Sequence, residues 1–267
     1  MPAENKDLKT LYNSFYKNGE NSHYTPLLFG GTSEDADSEP FQAISSLPSW
    51  EGKTVLDVGC GTGLLVSEVA RRGAKQIVGL DFSEEAIRCA KERNLGPNVT
   101  FACADFNQHE GRYDVVTSLG TLEHMDDPLA ALKRMKHLLE DDGVIILTSP
   151  NWVNPRGYIL QTLRFLFDAP VTLADLHFLT PVDFQKWADA LGMKLTWSTF
   201  DHNWAQGEKL IKDFKRRLPN ILIRDMKDAT TQARIDAFIA WIEEHVATLE
   251  HTMPSGGALG RYKFEPR

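Results

Sequence analysis

The sequence predicts an α/β fold built on a parallel sheet, and three observations carry that expectation. From Lys53 to Ser149, short apolar runs alternate with stretches of helical period, the pattern of strands joined by crossover helices. The first run, Thr54-Val55-Leu56-Asp57-Val58, enters the cluster Gly59-Cys60-Gly61-Thr62-Gly63 and then the helical stretch Leu64 to Ala70. The run Val144-Ile145-Ile146-Leu147-Thr148 has the continuous apolar character of a strand covered on both faces.

The elements follow in order. Leu8, Leu11, Tyr12, Phe15 and Tyr16 recur at helical spacing and predict an amphipathic helix. Residues 18–40 are rich in Gly, Ser, Asp, Asn and Glu and read as a loop or mobile lid, and Phe41 to Leu47 as a short helix. Residues 1–50 are thus expected to form an N-terminal helical cover, with 51–267 as the main domain. Gly73 after Arg71-Arg72 stops the first domain helix, and Gln76-Ile77-Val78-Gly79-Leu80 is the second strand. Ser83 followed by Glu84 and Glu85 has the character of a helix N-cap with acids in the first turn. Val99 to Cys103 and Tyr113 to Ser118 are the third and fourth strands. Asp127-Pro128 pairs an N-cap with proline at the first helical position, and Leu129, Leu132, Met135 and Leu139 supply the buried stripe. Beyond Pro150 the alternation breaks. Asn154 to Phe167 reads as an inserted helix, Pro181 to Leu191 as a helix of the main fold, and Lys194 to Phe200 as a sixth strand. Residues 207–252 are mostly helical in pattern, and Leu259 to Phe264 is a final strand. Helical insertions are therefore expected at about 151–170 and 207–252.

Composition narrows the function. A chain of 267 residues, 42% hydrophobic and 25% charged, has the make-up of a soluble globular protein with a sizeable core. A formal charge of −8 argues against nucleic acid as the main partner, since phosphate binding calls for excess Lys and Arg. Three cysteines, Cys60, Cys89 and Cys103, form no C-x-x-C pair, which fits a reducing cytoplasm. The polar start Met1 to Asp7 lacks a signal-peptide core, and no apolar stretch reaches membrane-spanning length.

The glycine cluster lies at the carboxyl end of a strand, where open α/β sheets bind ligands. Glycines there permit positive φ and close approach of a ligand to the backbone. The dinucleotide fingerprint G-x-G-x-x-G would need glycine at 64 or 66, and these positions hold Leu64 and Val66. A nicotinamide-dependent oxidoreductase is accordingly disfavoured. Further polar groups end the other strands: Asp81-Phe82-Ser83 after the second, and Ala104-Asp105-Phe106 after the third. A carboxylate at the end of the second strand can accept two hydrogen bonds from a ribose diol.

The string Asp57-Val58-Gly59-Cys60-Gly61-Thr62-Gly63 resembles motif I of the class I S-adenosylmethionine-dependent methyltransferases. Asp81, Asp105 and Tyr113 to Ser118 follow in that family's order. The resemblance implies a Rossmann-like seven-stranded sheet of order 3-2-1-4-5-7-6, with the last strand antiparallel between the fifth and sixth. It implies S-adenosyl-L-methionine as cofactor and S-adenosyl-L-homocysteine as product. By the same resemblance Asp57, Gly59, Cys60, Gly61, Gly63, Asp81, Phe82, Asp105, Phe106 and Leu119 bind the cofactor. The amino-acid end is expected near Gly59 and Gly61, ribose on Asp81, and adenine beside Phe82, Asp105 and Phe106. No metal is expected, because the sulfonium already makes the methyl group electrophilic. Cys60 reads as a small turn residue rather than a nucleophile, having no identifiable base beside it.

Leu119-Gly120-Thr121-Leu122-Glu123-His124 is similar to the L-E-H segment of the ubiquinone-biosynthesis O-methyltransferases, which often carry an acid where this chain has Gly120. Two readings of His124 stand: general base, histidine being the side chain suited to moving protons near neutral pH, or a side chain that orients its loop. His177, before Thr180-Pro181, is a second catalytic candidate with a capping or packing role as its alternative. Tyr24, Trp152, His202 and Trp204 are candidate substrate-binding residues, and each has a packing alternative. The basic stretch Lys209 to Leu218 reads as a solvated helix face packed on the core, or as a membrane-surface helix. The function expected is methyl transfer to a small molecule, most simply at a hydroxyl oxygen. N-methylation of a small amine and non-catalytic cofactor binding are the alternatives.

Overall fold

The β-branched runs form the strands their patterning predicts. The structure is a computed structural model that describes residues 35–93, 96–172, 175–227, 229–245 and 255–267, together with Thr10, Asn13 and Ala247. Its elements begin with α1 (Glu39–Ile44), β1 (Thr54–Val58), α2 (Leu64–Arg71), β2 (Gln76–Asp81), α3 (Glu84–Arg93) and β3 (Val99–Cys103). β4 (Tyr113–Leu119), α4 (Pro128–His137), β5 (Leu139–Pro150), α5 (Pro155–Phe167), α6 (Pro181–Leu191) and β6 (Met193–Phe200) follow. The chain continues with α7 (His202–Gln206), α8 (Glu208–Pro219), a π-helical segment (Asn220–Asp225), α9 (Gln232–His245) and β7 (Leu259–Pro266).

The seven strands lie in the order β3-β2-β1-β4-β5-β7-β6, the Rossmann-like arrangement expected. β1 runs parallel to β2, with Val58 opposite Leu80, and parallel to β4, with Asp57 opposite Thr117. β3 pairs parallel with β2, and β5 with β4. The carboxyl ends of β1 to β5 therefore share one edge of the sheet, the edge at which open α/β sheets bind ligands. β5 starts five residues before the apolar run that predicts it. Glu140, Asp141 and Asp142 are exposed, so the strand's start carries no apolar signature. A register shift between Tyr113 and Val115 absorbs the extra residues.

The chain divides into two compact units. The first holds residues 1–149, 182–197 and 261–267, and the second residues 150–181 and 198–260. In the first, Ala43, Ile44, Trp50, Val55, Leu65, Val66, Val69, Ile77 and Ile87 form a buried cluster that packs α1, α2 and α3 on the sheet. Ser38 caps α1 by accepting the Phe41 N–H at 3.3 Å, and the Trp50 indole donates to the Ile44 carbonyl at 2.9 Å. Elsewhere in this unit Phe184 stacks on the buried Tyr262, with ring centroids 3.7 Å apart.

The second unit has its own core of Trp152, Leu160, Leu210, Ile211, Phe214, Leu218, Ile235, Ile239 and Ile242. Leu210, Ile211, Phe214 and Leu218 of α8 are buried while Lys209, Lys212, Lys215 and Arg216 face solvent. The basic amphipathic segment is thus a core helix with a solvated face. Pro219 has no N–H for the helical ladder, and the chain continues as a single π-helical stretch.

Most of the expected N-terminal cover lies outside the described residues, as do Tyr12, Tyr16 and Tyr24. Thr10 and Asn13 are helical, and the Ser83 hydroxyl donates to Asn13 Oδ1 at 2.6 Å. Among the described residues no helix is long and apolar enough to cross a membrane.

Candidate active site

The turn after β1 needs its glycines. Gly59, Gly61 and Gly63 sit at φ +76°, +51° and +77°, a left-handed run that L side chains resist. The Gly59 and Cys60 N–H groups both reach the Leu80 carbonyl, at 2.8 and 2.9 Å, tying the loop to the end of β2. A Cβ on Gly59 would stand 2.3 Å from Thr121 Oγ1, so the segment after β4 lies directly on the loop. Cys60 is buried, and its Sγ would stand 2.9 Å from a Cβ on Gly79. Burial first, then the charges of Asp57 and Asp81, pushes its thiol up, so Cys60 is a packing residue.

Acidic side chains crowd this edge. Asp57 on β1 is 3% exposed and accepts a hydrogen bond from the Thr117 hydroxyl at 2.7 Å. Burial, eased by that bond and reinforced by the charge of Asp81, pushes the Asp57 carboxyl up to about 7. Asp81 ends β2 and accepts the Gly61 N–H at 2.9 Å on one oxygen and the Ser83 N–H at 2.8 Å on the other. Burial raises its pKa, and backbone N–H groups of Ser83, Gly61 and Phe82 hold it back. A carboxylate has about four acceptor positions, so capacity remains for hydroxyl donors.

Phe82, next to Asp81, leaves 40% of its surface exposed and offers an apolar face. Asp105 is exposed and caps its own short helix (Phe106–Gln108), accepting the Asn107 N–H at 2.9 Å. Phe106 is half-buried beside it, and Leu119 is half-buried at the end of β4. The chain then makes a 3-10 turn, Leu122–His124. Glu123 is buried and accepts a hydrogen bond from the Ser149 hydroxyl at 3.2 Å. His124 keeps 13% of its side chain exposed, with Nε2 4.0 Å from Glu123 Oε1.

Three polar residues of this edge carry no signal in the sequence. Thr117 and Thr148 look like ordinary strand residues, yet their hydroxyls are spent on carboxylates, the buried Asp57 and the half-buried Glu39. Glu39 falls at the end of the polar stretch read as a loop, whereas α1 begins at this residue. Its carboxylate faces Gly120 and the ends of β4 and β5.

His177, Trp152, His202 and Trp204 belong to the second unit. Trp152 is buried against Phe178, with centroids 4.8 Å apart. The Arg156 guanidinium lies 5.6 Å from the Trp152 ring and 5.5 Å from the Trp204 ring, so two of the candidates share one cation. Among the described residues, Trp152 Nε1 and His202 Nδ1 have no hydrogen-bond partner. His177 lies in irregular chain before α6 and is half-buried. Arg156, which sequence reasoning missed, pairs with the buried Asp213 at 3.2 Å, and Arg216 and Arg217 bind the same carboxylate.

A glycine turn on β1, an acid on β2 and an apolar face beyond it, in a sheet of this order, define a Rossmann-like cofactor-binding protein. The methyltransferase-domain family matches residues 34–197. The chain belongs to that family, with the fold and motif order of the class I S-adenosylmethionine-dependent methyltransferases. A ubiquinone biosynthesis O-methyltransferase of Alkalilimnicola ehrlichii is 33% identical over 148 residues, covering 52% of this chain and 59% of that relative. The match thus spans under two thirds of the relative's length. The magnesium protoporphyrin IX methyltransferase of Synechocystis, solved with S-adenosylhomocysteine, shares the fold at TM-score 0.55 and 23% identity, over 72% of this chain and 92% of that one. A [4+2]-cyclase, SpnF, shares it at TM-score 0.61 and 17% identity, over 100% and 98%.

The cofactor is S-adenosylmethionine, and the residues present fit it. Three left-handed glycines leave the loop bare of side chains at 59, 61 and 63, where a ligand can approach the backbone. Asp81 is a buried acceptor with spare capacity, held rigid by backbone donors. Phe82 presents an apolar face beside it.

Proposed function

We propose that the chain transfers a methyl group from S-adenosylmethionine to a hydroxyl oxygen of a small molecule, with His124 as general base. The observation that carries this reading is the Leu122–His124 turn, which follows β4 directly and sets a partly exposed imidazole beside a buried carboxylate. The O-methyltransferase relatives, about 30% identical, support the choice of oxygen.

The bound cofactor supplies a methyl group on a positively charged sulfur. Under this proposal Asp81 accepts the ribose hydroxyls, and Gly59, Cys60, Gly61 and Gly63 line the amino-acid end together with Asp57. Phe82, Asp105, Phe106 and Leu119 surround the adenine. His124 takes the acceptor's hydroxyl proton as oxygen becomes nucleophilic, and Glu123, 4.0 Å from Nε2, stabilises the imidazolium that forms. In the second unit the proposal assigns Trp152, Trp204 and His202 to acceptor recognition, and His177 as the alternative base. The unpartnered Trp152 Nε1 and His202 Nδ1 supply the polar atoms such recognition needs. Tyr24 is assigned to the acceptor on its sequence position alone.

Radiolabelled methyl transfer to matched panels of small phenols and amines tests the reaction. With a hydroxyl acceptor, His124→Ala lowers turnover by about 10²–10⁴-fold and leaves S-adenosylhomocysteine affinity intact. His177→Ala is the parallel measurement. Near wild-type turnover in both variants refutes histidine base catalysis. Methylation confined to amines refutes the choice of oxygen, and cofactor binding without any transfer refutes the enzyme.

A further inference from the structure

The half-buried Glu39 carboxylate is an acid that the proposed reaction does not use. Its position is well fixed. Ser38 caps α1, Trp50 holds the other end, and Ala43 and Ile44 sink into the cluster that also holds Val55, Cys60 and Leu65. α1 is thereby packed against α2, the helix that the glycine loop opens, and against β4. The Thr148 hydroxyl donates to Glu39 and accepts the Gly120 N–H at 3.1 Å. A Cβ added to Gly120 would stand 3.2 and 3.4 Å from the two Glu39 carboxylate oxygens. Glu39 therefore fills the place a side chain at residue 120 would take, one residue from Thr121, which rests on Gly59.

Burial raises the pKa of Glu39, the Thr148 hydrogen bond opposes that, and among the described residues no cationic side chain contributes. An ionised group so placed is costly unless a positive charge meets it. The sheet order says which charge arrives. Across β2-β1-β4-β5, Asp81 marks one end of the site and Glu39, over β4 and β5, marks the other. A ligand with its ribose on Asp81 and its chain crossing the glycine loop presents its amino-acid end toward Glu39.

We propose that Glu39 is the counter-charge for the α-ammonium group of bound S-adenosylmethionine. It binds the cofactor and takes no part in moving the acceptor's proton. The proposal rests on the cofactor reading and extends it to a residue outside the strand-end motifs.

Calorimetry with three ligands tests it: S-adenosylmethionine, S-adenosylhomocysteine, and 5′-methylthioadenosine, which lacks the amino-acid end. Glu39→Gln is expected to weaken the first two by about 10- to 100-fold, the usual worth of a charge-assisted hydrogen bond. The third should change by less than about 2-fold on the same reasoning, since it has no ammonium group to lose. Glu39→Asp, which withdraws the charge by one methylene but keeps it, gives the same pattern if the glutamine variant fails to fold. Loss confined to S-adenosylmethionine would place Glu39 on the sulfonium and overturn the assignment. Equal loss for all three ligands, or none for any, also overturns it. A wild-type protein that binds none of the three overturns the cofactor reading beneath it.

Discussion

Replacing Asp57 by Asn should stabilise the ligand-free protein, and the gain should grow with pH. Asp57 is buried in β1, and burial moves its pKa from 3.8 to about 7. Between those values the folded chain holds a proton that the unfolded chain has released. A raised acid pKa favours the fold at low pH, and the advantage is lost as pH rises through about 7. A span of roughly 3 pH units at about 1.4 kcal/mol each gives on the order of 4 kcal/mol. Asn is uncharged and nearly isosteric, and its amide oxygen still accepts the Thr117 hydroxyl. Urea unfolding of both proteins without ligand, from about pH 4.5 to about pH 8, reads the difference directly. The variant should match wild type at the acid end and exceed it by several kcal/mol above pH 7. Asp81 and Glu39, also raised by burial, and Asp213, held low, are common to both proteins and cancel in the difference to first order. A gap that does not change with pH, or an asparagine variant less stable at about pH 8, would refute the argument.

Three further outcomes follow from distances in the structure. Asp81→Ala should cost about 1–3 kcal/mol of S-adenosylhomocysteine binding by calorimetry, because a buried diol loses its acceptor, and unchanged affinity in a folded variant would move the ribose elsewhere. Gly59→Ala should lower thermal stability by about 1–3 kcal/mol, since it strains a φ of +76° and sets a methyl 2.3 Å from Thr121 Oγ1. Thr121→Gly in the same chain should recover only the steric share. Asp213→Ala should destabilise the protein to urea by about 3–5 kcal/mol by leaving Arg156 buried without its partner, and a loss under about 1 kcal/mol would mean the guanidinium finds water or another acceptor.

The fold was legible because its strands are apolar and its helices are capped. Asp127 caps α4 by accepting the Ala130 N–H, and Pro128 sits in its first turn, as the Asp127-Pro128 pair implies. Asn154 likewise caps α5. β5 was read short because Glu140, Asp141 and Asp142 face solvent, and a strand without a buried face has no periodic signature. The turn after Pro219 was read as helix because a π-helical stretch keeps the same apolar spacing over one turn. The strand-end candidates were picked out by their order along the chain, and the structure places Asp57, Asp81 and Leu119 at the ends of β1, β2 and β4. Glu39 and Arg156 were not, since an acid at the end of a polar loop and a basic residue within a helix are ordinary surface features until tertiary structure gives them partners.

Buried and half-buried carboxylates occur here in two environments, and the contrast separates framework from the proposed site. Asp213 is surrounded by Arg156, Arg216 and Arg217. Burial works against its charge, but Arg156 and Arg217 outweigh burial and hold the carboxyl well below the usual range. That group is compensated within the fold, and its charge stabilises the native state above the acid range. Among the described residues, Asp57, Asp81 and Glu39 receive hydroxyl and backbone donors and no cationic partner, and loss of solvent raises all three. Such acids weaken the ligand-free fold at neutral pH, so packing alone does not account for them. Preorganised acceptors at one sheet edge do, provided a ligand brings hydroxyl donors to one end and positive charge to the other. S-adenosylmethionine has that pattern of groups. Under the proposed site, the stability this edge forgoes without ligand is free energy that a bound cofactor recovers.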